Sequence, residues 1–363
     1  MKSDLSFNAV LSKGFSLVLS GNPCILCTPV TAQGSLPVPP DSRMIVFKDQ
    51  SQSYTSWGTI GGGTLEFTSV QYAQSLLEGS STSDLLYRFH FDSKDSNDVK
   101  PICGGNTAIL IEKLTPFIAE EWLDLLNDSK PFIETIVFKS NVSEYLKSGT
   151  TCAHNVSFSR HFITDSNHCS TLSSDLVSCI RDCSTTESLI DQNVLIFKRF
   201  PDPIVSVFGA GHCCLSLTTV AQVAGFRVKV FDNREDILKS YPPEVESNLI
   251  DYNDLTGVLK DLKGSFIVIM THGHLHDQTV LRQVMNFSPS RSYFSYVGMI
   301  GSRRKVKLVM DTLSSEGVCN LDMVRSPIGL VHADTAGGVA VSIMAEILHE
   351  HRISTRMKSQ CLG

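Results

Sequence analysis

Long apolar runs are missing from this sequence, because no stretch approaches the roughly 18 apolar residues of a membrane-spanning helix. Residues 1–12 also lack the basic start and apolar core of a secretory signal peptide. These absences predict a cytoplasmic protein without a membrane partner. In that compartment its 11 cysteines would be mostly reduced.

Excess positive charge is missing as well. Lys and Arg number 31 against 37 Asp and Glu, which gives a formal net charge of -6. Because binding a polyanion requires a basic surface, this balance argues against a nucleic-acid partner. Hydrophobic residues make up 42% of the 363 residues, which is enough material for the packed cores of two domains.

The order of predicted elements divides the chain into two domains, residues 1–198 and 199–363. The first is mixed α/β. A polar turn is expected at 49–56, and the Ser- and Cys-rich segment 140–190 is predicted to be irregular because its periodicity is weak. The expected helices are 64–77 and 116–126, and the expected strands are 16–22, 24–30, 44–48, 86–91, 108–111, 132–138 and 194–198.

The second domain alternates short apolar runs with helical patterns. This alternation predicts a Rossmann-like, doubly wound parallel sheet, whose ligands bind outside the carboxyl ends of the strands. The expected strands are 204–208, 227–231, 248–250, 265–270 and 293–300, and the expected helices are 215–224, 236–240, 255–262, 276–284, 303–313 and 337–352.

A glycine turn follows the first strand of this domain. Gly209 permits a tight turn, and Gly211 leaves room for a pyrophosphate at the start of the next helix. Cys214 occupies the position of the third fingerprint glycine, and Asp232 ends the second strand, where a carboxylate holds ribose hydroxyls. The pattern indicates a dinucleotide, an adenine nucleotide or S-adenosylmethionine. An empty Rossmann-like scaffold is the alternative.

Two polar motifs follow later strands of the same domain. In the run that holds His272, His274, His276 and Asp277, the first and last are the catalytic candidates. His272 could serve as general acid–base or orient an anionic ligand, and metal binding or helix capping by the run are the alternatives. The segment Ser302–Lys305 places three cations at a helix start, where they oppose the helix dipole, so a bound phosphate or pterin phosphate would offset them.

Two glycine-rich stretches mark the first domain. Gly61, Gly62 and Gly63 are consecutive, and glycine lets the backbone approach a ligand closely. Cys103, followed by Gly104, is predicted to be an accessible thiol on a turn. Such a thiolate suits a soft metal or a sulfur-transfer step, which makes Cys103 the candidate metal ligand.

Taken together, these motifs resemble those of the XdhC/CoxI family, the accessory proteins of xanthine dehydrogenase and related molybdenum hydroxylases. The order and approximate spacing of the motifs agree across both halves of the chain. The segments that carry the resemblance are 34–40, 60–66, 103–105, 208–212, Asp232-x-Arg234, 271–277, 298–305, 326–330 and 340–346. The chain departs from the family pattern at Cys214, at 332–338 and over 140–190.

The resemblance implies an XdhC-type first domain and a dimeric, non-catalytic chaperone. Such a protein binds the molybdenum cofactor (molybdopterin), protects it while a partner cysteine desulfurase sulfurates it, and delivers it to a xanthine dehydrogenase-type apoenzyme. By the same resemblance, the Cys103 thiol lies near molybdenum, and Gly61–Gly63 and Glu66 frame that site. Ser302, Arg303 and the Gly209–Gly211 turn would hold a phosphate or nucleotide, and the other cofactor-binding candidates are Gly104, His212, Asp232 and Arg234.

Two other functions stay open from the residues themselves. One is an NAD(P)-dependent oxidoreductase that uses Asp232 for ribose binding and His272 for proton transfer. The other is a nucleotide-sensing regulatory module without catalysis. Nothing in the sequence names a substrate for the first of these.

Overall fold

A computed structural model describes residues 7–34, 42–80, 83–90, 105–127, 130–142, 145, 151–164, 172, 177–178, 180, 188–189, 193–243, 245–287 and 293–360. These residues form two compact units that divide between Pro201 and Asp202. We refer to them as unit 1 and unit 2. Among the described helices, none is long and apolar enough to cross a membrane.

The described residues of unit 1 form two sheets and three main helices. Strands β1 to β5 and β7 form an antiparallel sheet in the order β3-β2-β1-β5-β4-β7, and the others form a second sheet in the order β8-β6-β10-β9. The elements are α1 (Phe7–Leu19), β1 (Cys24–Gly34), β2 (Met44–Lys48), β3 (Tyr54–Gly58), α2 (Gly63–Leu77), β4 (Leu85–His90), β5 (Gly105–Lys113), α3 (Pro116–Asn127), β6 (Phe132–Phe138), β7 (Cys152–Asn155), β8 (Phe158–Ile163), β9 (Ser188–Leu189) and β10 (Val194–Arg199).

Alternation along β1 and β5 assigns each face of the first sheet its own core. Cys24 and Leu26 pack with α1 and α3, where Trp122 is fully buried, whereas Cys27 packs with α2 on the opposite face. On β5, Leu110 faces the second sheet. A buried Arg160 on β8 pairs with Glu112 of the first sheet and with Glu134 of the second, so charge as well as apolar area joins the two sheets.

Three expectations for unit 1 are wrong. The expected strand 16–22 overlaps α1, because Val10, Leu11, Phe15 and Val18 recur at helical spacing and are all buried. The expected polar turn 49–56 overlaps the start of β3, which pairs with β2. The segment 140–190 contains β7 and β8, which pair with β4 and β6, so cross-strand partners rather than local periodicity order its described part.

Unit 2 is a parallel five-stranded sheet in the order β13-β12-β11-β14-β15 with helices on both faces. This confirms the predicted Rossmann-like fold class. Its elements are β11 (Ile204–Phe208), α4 (His212–Val223), β12 (Arg227–Asp232), α5 (Glu235–Leu238), β13 (Glu246–Leu249), α6 (Thr256–Lys260), β14 (Phe266–Ile269), α7 (His274–Phe287), β15 (Tyr296–Met299), α8 (Arg303–Ser315) and α9 (Ala336–Gln360).

The strand order places a topological switch point between β11 and β14. From β11 the chain builds outward through β12 to β13, then returns to the other side of β11 for β14 and β15. In an open parallel sheet, the loops that leave the two central strands diverge there and open a crevice. The predicted motifs of unit 2 lie at the carboxyl ends of β11, β12, β14 and β15.

Candidate functional site

The glycine turn after β11 contains two glycines that have different structural roles. Gly209 has φ +113°, and a Cβ there would lie 2.3 Å from the Met270 carbonyl oxygen at the end of β14. Gly211 has an ordinary φ of -75°, and a Cβ there would meet nothing within 4 Å. The fold therefore requires Gly209, whereas Gly211 keeps open space above the start of α4.

Cys214 fills the place of the third fingerprint glycine without leaving a gap. Its side chain is fully buried in the core between α4, α9 and the sheet. Burial raises the pKa of its thiol to about 11, so it is a neutral packing residue at pH 7.

Asp232 at the end of β12 is buried and bound to the protein itself. Its Oδ2 accepts from the Ala210 amide (2.7 Å) and from Arg234 Nη2 (2.8 Å), and its Oδ1 accepts from Arg234 N (3.0 Å) and Nε (2.8 Å). Burial alone would raise the pKa of Asp232, but these hydrogen bonds outweigh it and hold the pKa below its usual value. The carboxylate thus fixes the glycine turn from a neighbouring strand, and its ribose contact stays a prediction.

The histidines after β14 line the same edge of the sheet. His272 is exposed, and its ring centroid lies 4.7 Å from that of His276, which in turn lies 5.2 Å from that of Tyr252. Desolvation, then the positive charge of Arg234 and the proximity of His276, lower the pKa of His272. His272 is therefore neutral at pH 7, as a proton acceptor or a hydrogen-bonding group would be. His212, also exposed, begins α4.

Asp277 is fully buried and holds two loops of the site together. Its Oδ1 accepts from Thr271 N (2.8 Å) and from Thr271 Oγ1 (2.7 Å), and its Oδ2 pairs with Lys305 Nζ at the start of α8. This geometry favours a positioning role for Asp277, and its catalytic role stays a prediction. The pair also supplies Lys305 with a counter-charge from within the protein, whereas the sequence pattern suggested that a ligand would provide it.

The start of α8 is capped from within. Ser302 is the N-cap residue, and its Oγ accepts from the Lys305 amide at 3.3 Å. Arg303 and Arg304 are exposed at this terminus. Two cations therefore remain directed to solvent after β15, and a phosphate contact by Ser302 and Arg303 stays a prediction.

In unit 1 the triple-glycine turn precedes α2. Gly61, Gly62 and Gly63 have φ of +125°, +74° and +57°, conformations that side chains rarely adopt. Glu66 Oε1 accepts from the Thr59 hydroxyl, the Ile60 amide (3.0 Å) and the Gly62 amide (2.9 Å). Burial would raise the pKa of Glu66, but these bonds prevail and lower it. Glu66 thus shapes the turn.

The candidate thiol Cys103 and its neighbour Gly104 lie outside the residues that the structure describes. Gly105 begins β5. Burial raises the pKa of Cys24 to about 12 and raises that of Cys27 as well, so neither is a ready nucleophile. No group of three or more His, Cys, Asp or Glu side chains suited to a metal occurs within the described parts of the chain.

Sequence reasoning did not find the fork by which Arg234 engages Asp232, the Asp277–Lys305 pair or the place of Tyr252 beside His276. The Asp-x-Arg spacing was a usable signal for the first, because two residues after a strand end can fold back onto it. The other two join residues 24 or more positions apart, and only the strand order brings them together.

Family models match segments of both units. A family model described as the XdhC Rossmann domain matches residues 205–347, and one described as the XdhC and CoxI family matches residues 17–90. The chain belongs to the XdhC and CoxI family. The XdhC Rossmann match spans the Gly209–Gly211 turn and the loops after β14 and β15, and the other match spans Gly61–Gly63 and Glu66.

The chain is also similar to individual proteins and to a solved structure. The chain is 25% identical over 345 residues to a Bacillus subtilis protein described as a probable xanthine dehydrogenase subunit, covering 90% of this chain and 93% of that protein. It is 27% identical over 154 residues to the Escherichia coli protein YqeB, covering 40% of this chain and 27% of YqeB. A Bacillus halodurans crystal structure described as a xanthine dehydrogenase shares the fold, with a TM-score of 0.68 at 19% identity, over 94% of this chain and 96% of that one.

Proposed function

We propose that this XdhC-family chain is an accessory factor of a xanthine dehydrogenase-type molybdenum hydroxylase. In this role it binds the molybdenum cofactor, supports its sulfuration and aids its insertion into the apoenzyme. The observation that carries the proposal is that both glycine turns lie inside segments matched to XdhC family models. The names of the B. subtilis and B. halodurans proteins support the link to xanthine dehydrogenase.

The residues of unit 2 fit the phosphate end of such a cofactor or of a nucleotide. Gly211 is required neither by its φ nor by packing, so its small size leaves room for a group at the start of α4. The first amides of a helix lack partners within it, and they attract a phosphate. In the proposal, the Gly209–Gly211 turn, Ser302 and Arg303 of unit 2 hold a phosphate. The role of the Cys103 thiol near molybdenum is proposed from the family resemblance alone. The bound cofactor supplies the metal and its sulfur ligand.

An NAD(P)-dependent oxidoreductase is the second candidate. It is favoured by the parallel sheet with Asp232 at the end of its second strand and a neutral His272 at the same edge. A nucleotide-sensing module would use the same crevice without turnover. Against an oxidoreductase that holds a ribose diol through Asp232, that carboxylate already accepts four hydrogen bonds from the protein.

One experiment separates these functions. The purified protein is incubated with molybdenum cofactor or with NAD(H), passed through a desalting column, and each retained ligand is quantified. We expect retention of molybdenum cofactor, and its loss in a Cys103→Ala variant but not in the control Cys319→Ala, which removes an exposed cysteine of unit 2. Failure to retain the cofactor together with tight NAD(H) binding would overturn the proposal.

The partners belong to the same proposal. We expect a cytoplasmic homodimer that contacts a cysteine desulfurase and the apo-hydroxylase. Light scattering of the purified chain tests the dimer, and co-purification with each tagged partner tests the contacts. A monomer that captures neither partner would contradict this part while leaving cofactor retention as a separate result.

A further inference from the structure

The end of β12 is where a Rossmann-like sheet meets the ribose of an adenine nucleotide. A carboxylate at that position ordinarily binds the free ribose hydroxyls, whereas a nearby arginine accommodates a ribose phosphate. Unit 2 has both groups, because Asp232 ends the strand and Arg234 follows two residues later. Which of them faces a ligand decides which nucleotide this crevice prefers.

The hydrogen bonds of Asp232 leave its carboxylate no acceptor position for a ribose hydroxyl. An ionised carboxylate offers about four acceptor positions. In Asp232 these accept the amides of Ala210 and Arg234 and the Nε and Nη2 of Arg234, and the side chain is fully buried. A ribose diol could reach the carboxylate only by displacing the Arg234 fork, and a bidentate, charge-assisted pair is among the stronger polar contacts in proteins.

Arg234 is the member of the pair that reaches solvent. Its side chain is 35% exposed while that of Asp232 is 0% exposed, so the guanidinium covers the carboxylate. The side-on fork uses Nε and Nη2, which leaves Nη1 without a partner among the residues that the structure describes.

We propose that Arg234 makes the crevice of unit 2 selective for a nucleotide with a phosphate on its ribose over the same nucleotide with a free diol. The outward edge of the guanidinium binds the ribose phosphate, and the inward edge keeps Asp232 occupied. The nearby Glu235 does not oppose this, because Lys239 pairs with it at 3.0 Å. The inference rests on the nucleotide-binding part of the proposed function and names the class of ligand.

Calorimetric titration of the full chain tests this, with adenosine 2′,5′-bisphosphate, 5′-AMP and pyrophosphate as probes. We expect the bisphosphate to bind at least about tenfold more tightly than 5′-AMP, the gain expected from one charge-assisted contact. Arg234→Ala should abolish this preference, and Arg234→Lys should retain part of it because the charge remains but the fork is lost. The matched control is Arg282→Ala, which breaks a similar fork to Glu316 at similar exposure in unit 2.

Three results with the adenosine probes would overturn the inference: no binding of the bisphosphate, equal or tighter binding of 5′-AMP, or a preference that survives in Arg234→Ala. Pyrophosphate that binds as tightly as the bisphosphate would also overturn it, because charge alone would then explain the affinity. Retention of molybdenum cofactor is measured on the same samples. Intact retention with no ribose-phosphate preference would refute this inference alone, whereas lost retention with the preference present would refute the chaperone function alone.

Discussion

The two units stabilise their glycine turns in different ways. Each has a glycine turn before a helix, and in each a carboxylate with a lowered pKa binds the amides of the turn. In unit 1 the carboxylate is Glu66, four residues beyond Gly62 and on the helix that the turn begins. In unit 2 it is Asp232, 22 residues beyond Ala210 and on a neighbouring strand. The first turn is therefore a local device, whereas the second depends on the assembled sheet.

The surroundings of the glycines also differ, because Gly62 and Gly63 in unit 1 have open space around them and Gly209 in unit 2 is tightly packed. A Cβ on Gly62 or Gly63 would meet nothing within 4 Å, so only their positive φ requires glycine. A Cβ on Gly209 would collide with the backbone of β14. Changes in unit 1 should thus be tolerated better than the equivalent changes in unit 2, and the following experiments test that ranking.

The largest effect is expected for Gly209→Ala. Strain at positive φ and overpacking against Met270 each cost roughly 1–3 kcal/mol, so unit 2 should lose about 4 kcal/mol of unfolding free energy. Gly62→Ala, with the same kind of strain but no collision, should cost unit 1 about 2 kcal/mol. Hydrogen exchange with mass spectrometry reports each unit separately, and this is needed because both tryptophans, Trp57 and Trp122, lie in unit 1. Equal costs for the two variants would remove the contrast.

The next effect compares the carboxylates. Asp232→Ala leaves the buried Ala210 amide without its acceptor and removes the partner of Arg234, so we expect a loss of about 3 kcal/mol in unit 2. Glu66→Ala should cost unit 1 about 1 kcal/mol, because its turn is close to solvent and water can replace the carboxylate. Denaturant unfolding monitored by hydrogen exchange measures both. A larger loss for Glu66→Ala would reverse the assignment of local and tertiary turns.

Acid should lower the unfolding free energy of unit 2 by less than the substitutions above. Because the folded pKa of Asp232 is lowered, its contribution is complete above its unfolded pKa of about 3.9 and is lost as pH falls through the folded value. Between pH 5 and pH 3, wild-type unit 2 should lose more unfolding free energy than unit 2 of Asp232→Asn, by at most about 1 kcal/mol, because asparagine cannot titrate there. Denaturant midpoints at the two pH values provide the measurement. A variant with an unchanged pH dependence would show that Asp232 does not carry this effect.

The smallest effect on stability is expected for Gly211→Ala. Its φ of -75° suits alanine and the added methyl meets open space, so the unfolding free energy should change by less than about 0.5 kcal/mol. The methyl would nevertheless occupy the approach to the start of α4, and binding of a phosphorylated ligand should weaken about tenfold. Calorimetry with adenosine 2′,5′-bisphosphate compares it with wild type. Unaltered affinity would mean that the ligand does not approach the turn.

The sequence was informative where structure is local and periodic. Every strand and helix expected in unit 2 overlaps an observed element, because strands and helices alternate along the chain as far as α8. It failed at 16–22, where a helical stripe begins before the apolar window that suggested a strand. It also failed for β7 and β8, which have few apolar residues in alternation and are ordered by the strands beside them.

The site was predictable as a set of motifs but not as a set of contacts. Gly209, Asp232 and His272 follow strand ends that the sequence reveals, so their common edge could be inferred. That Arg234 covers Asp232 depends on the backbone path after β12, and that Lys305 pairs with Asp277 depends on β14 and β15 being neighbours. Both facts change the chemistry, because charges that seemed available to a ligand already have partners in the protein.

The Asp277–Lys305 pair also constrains how unit 2 can be recombined with its relatives. A chimera joined anywhere between these two residues would take a buried carboxylate from one parent and its cation from another. Exchanging residues 271–305 as one block would keep Asp277 together with its partners Thr271 and Lys305.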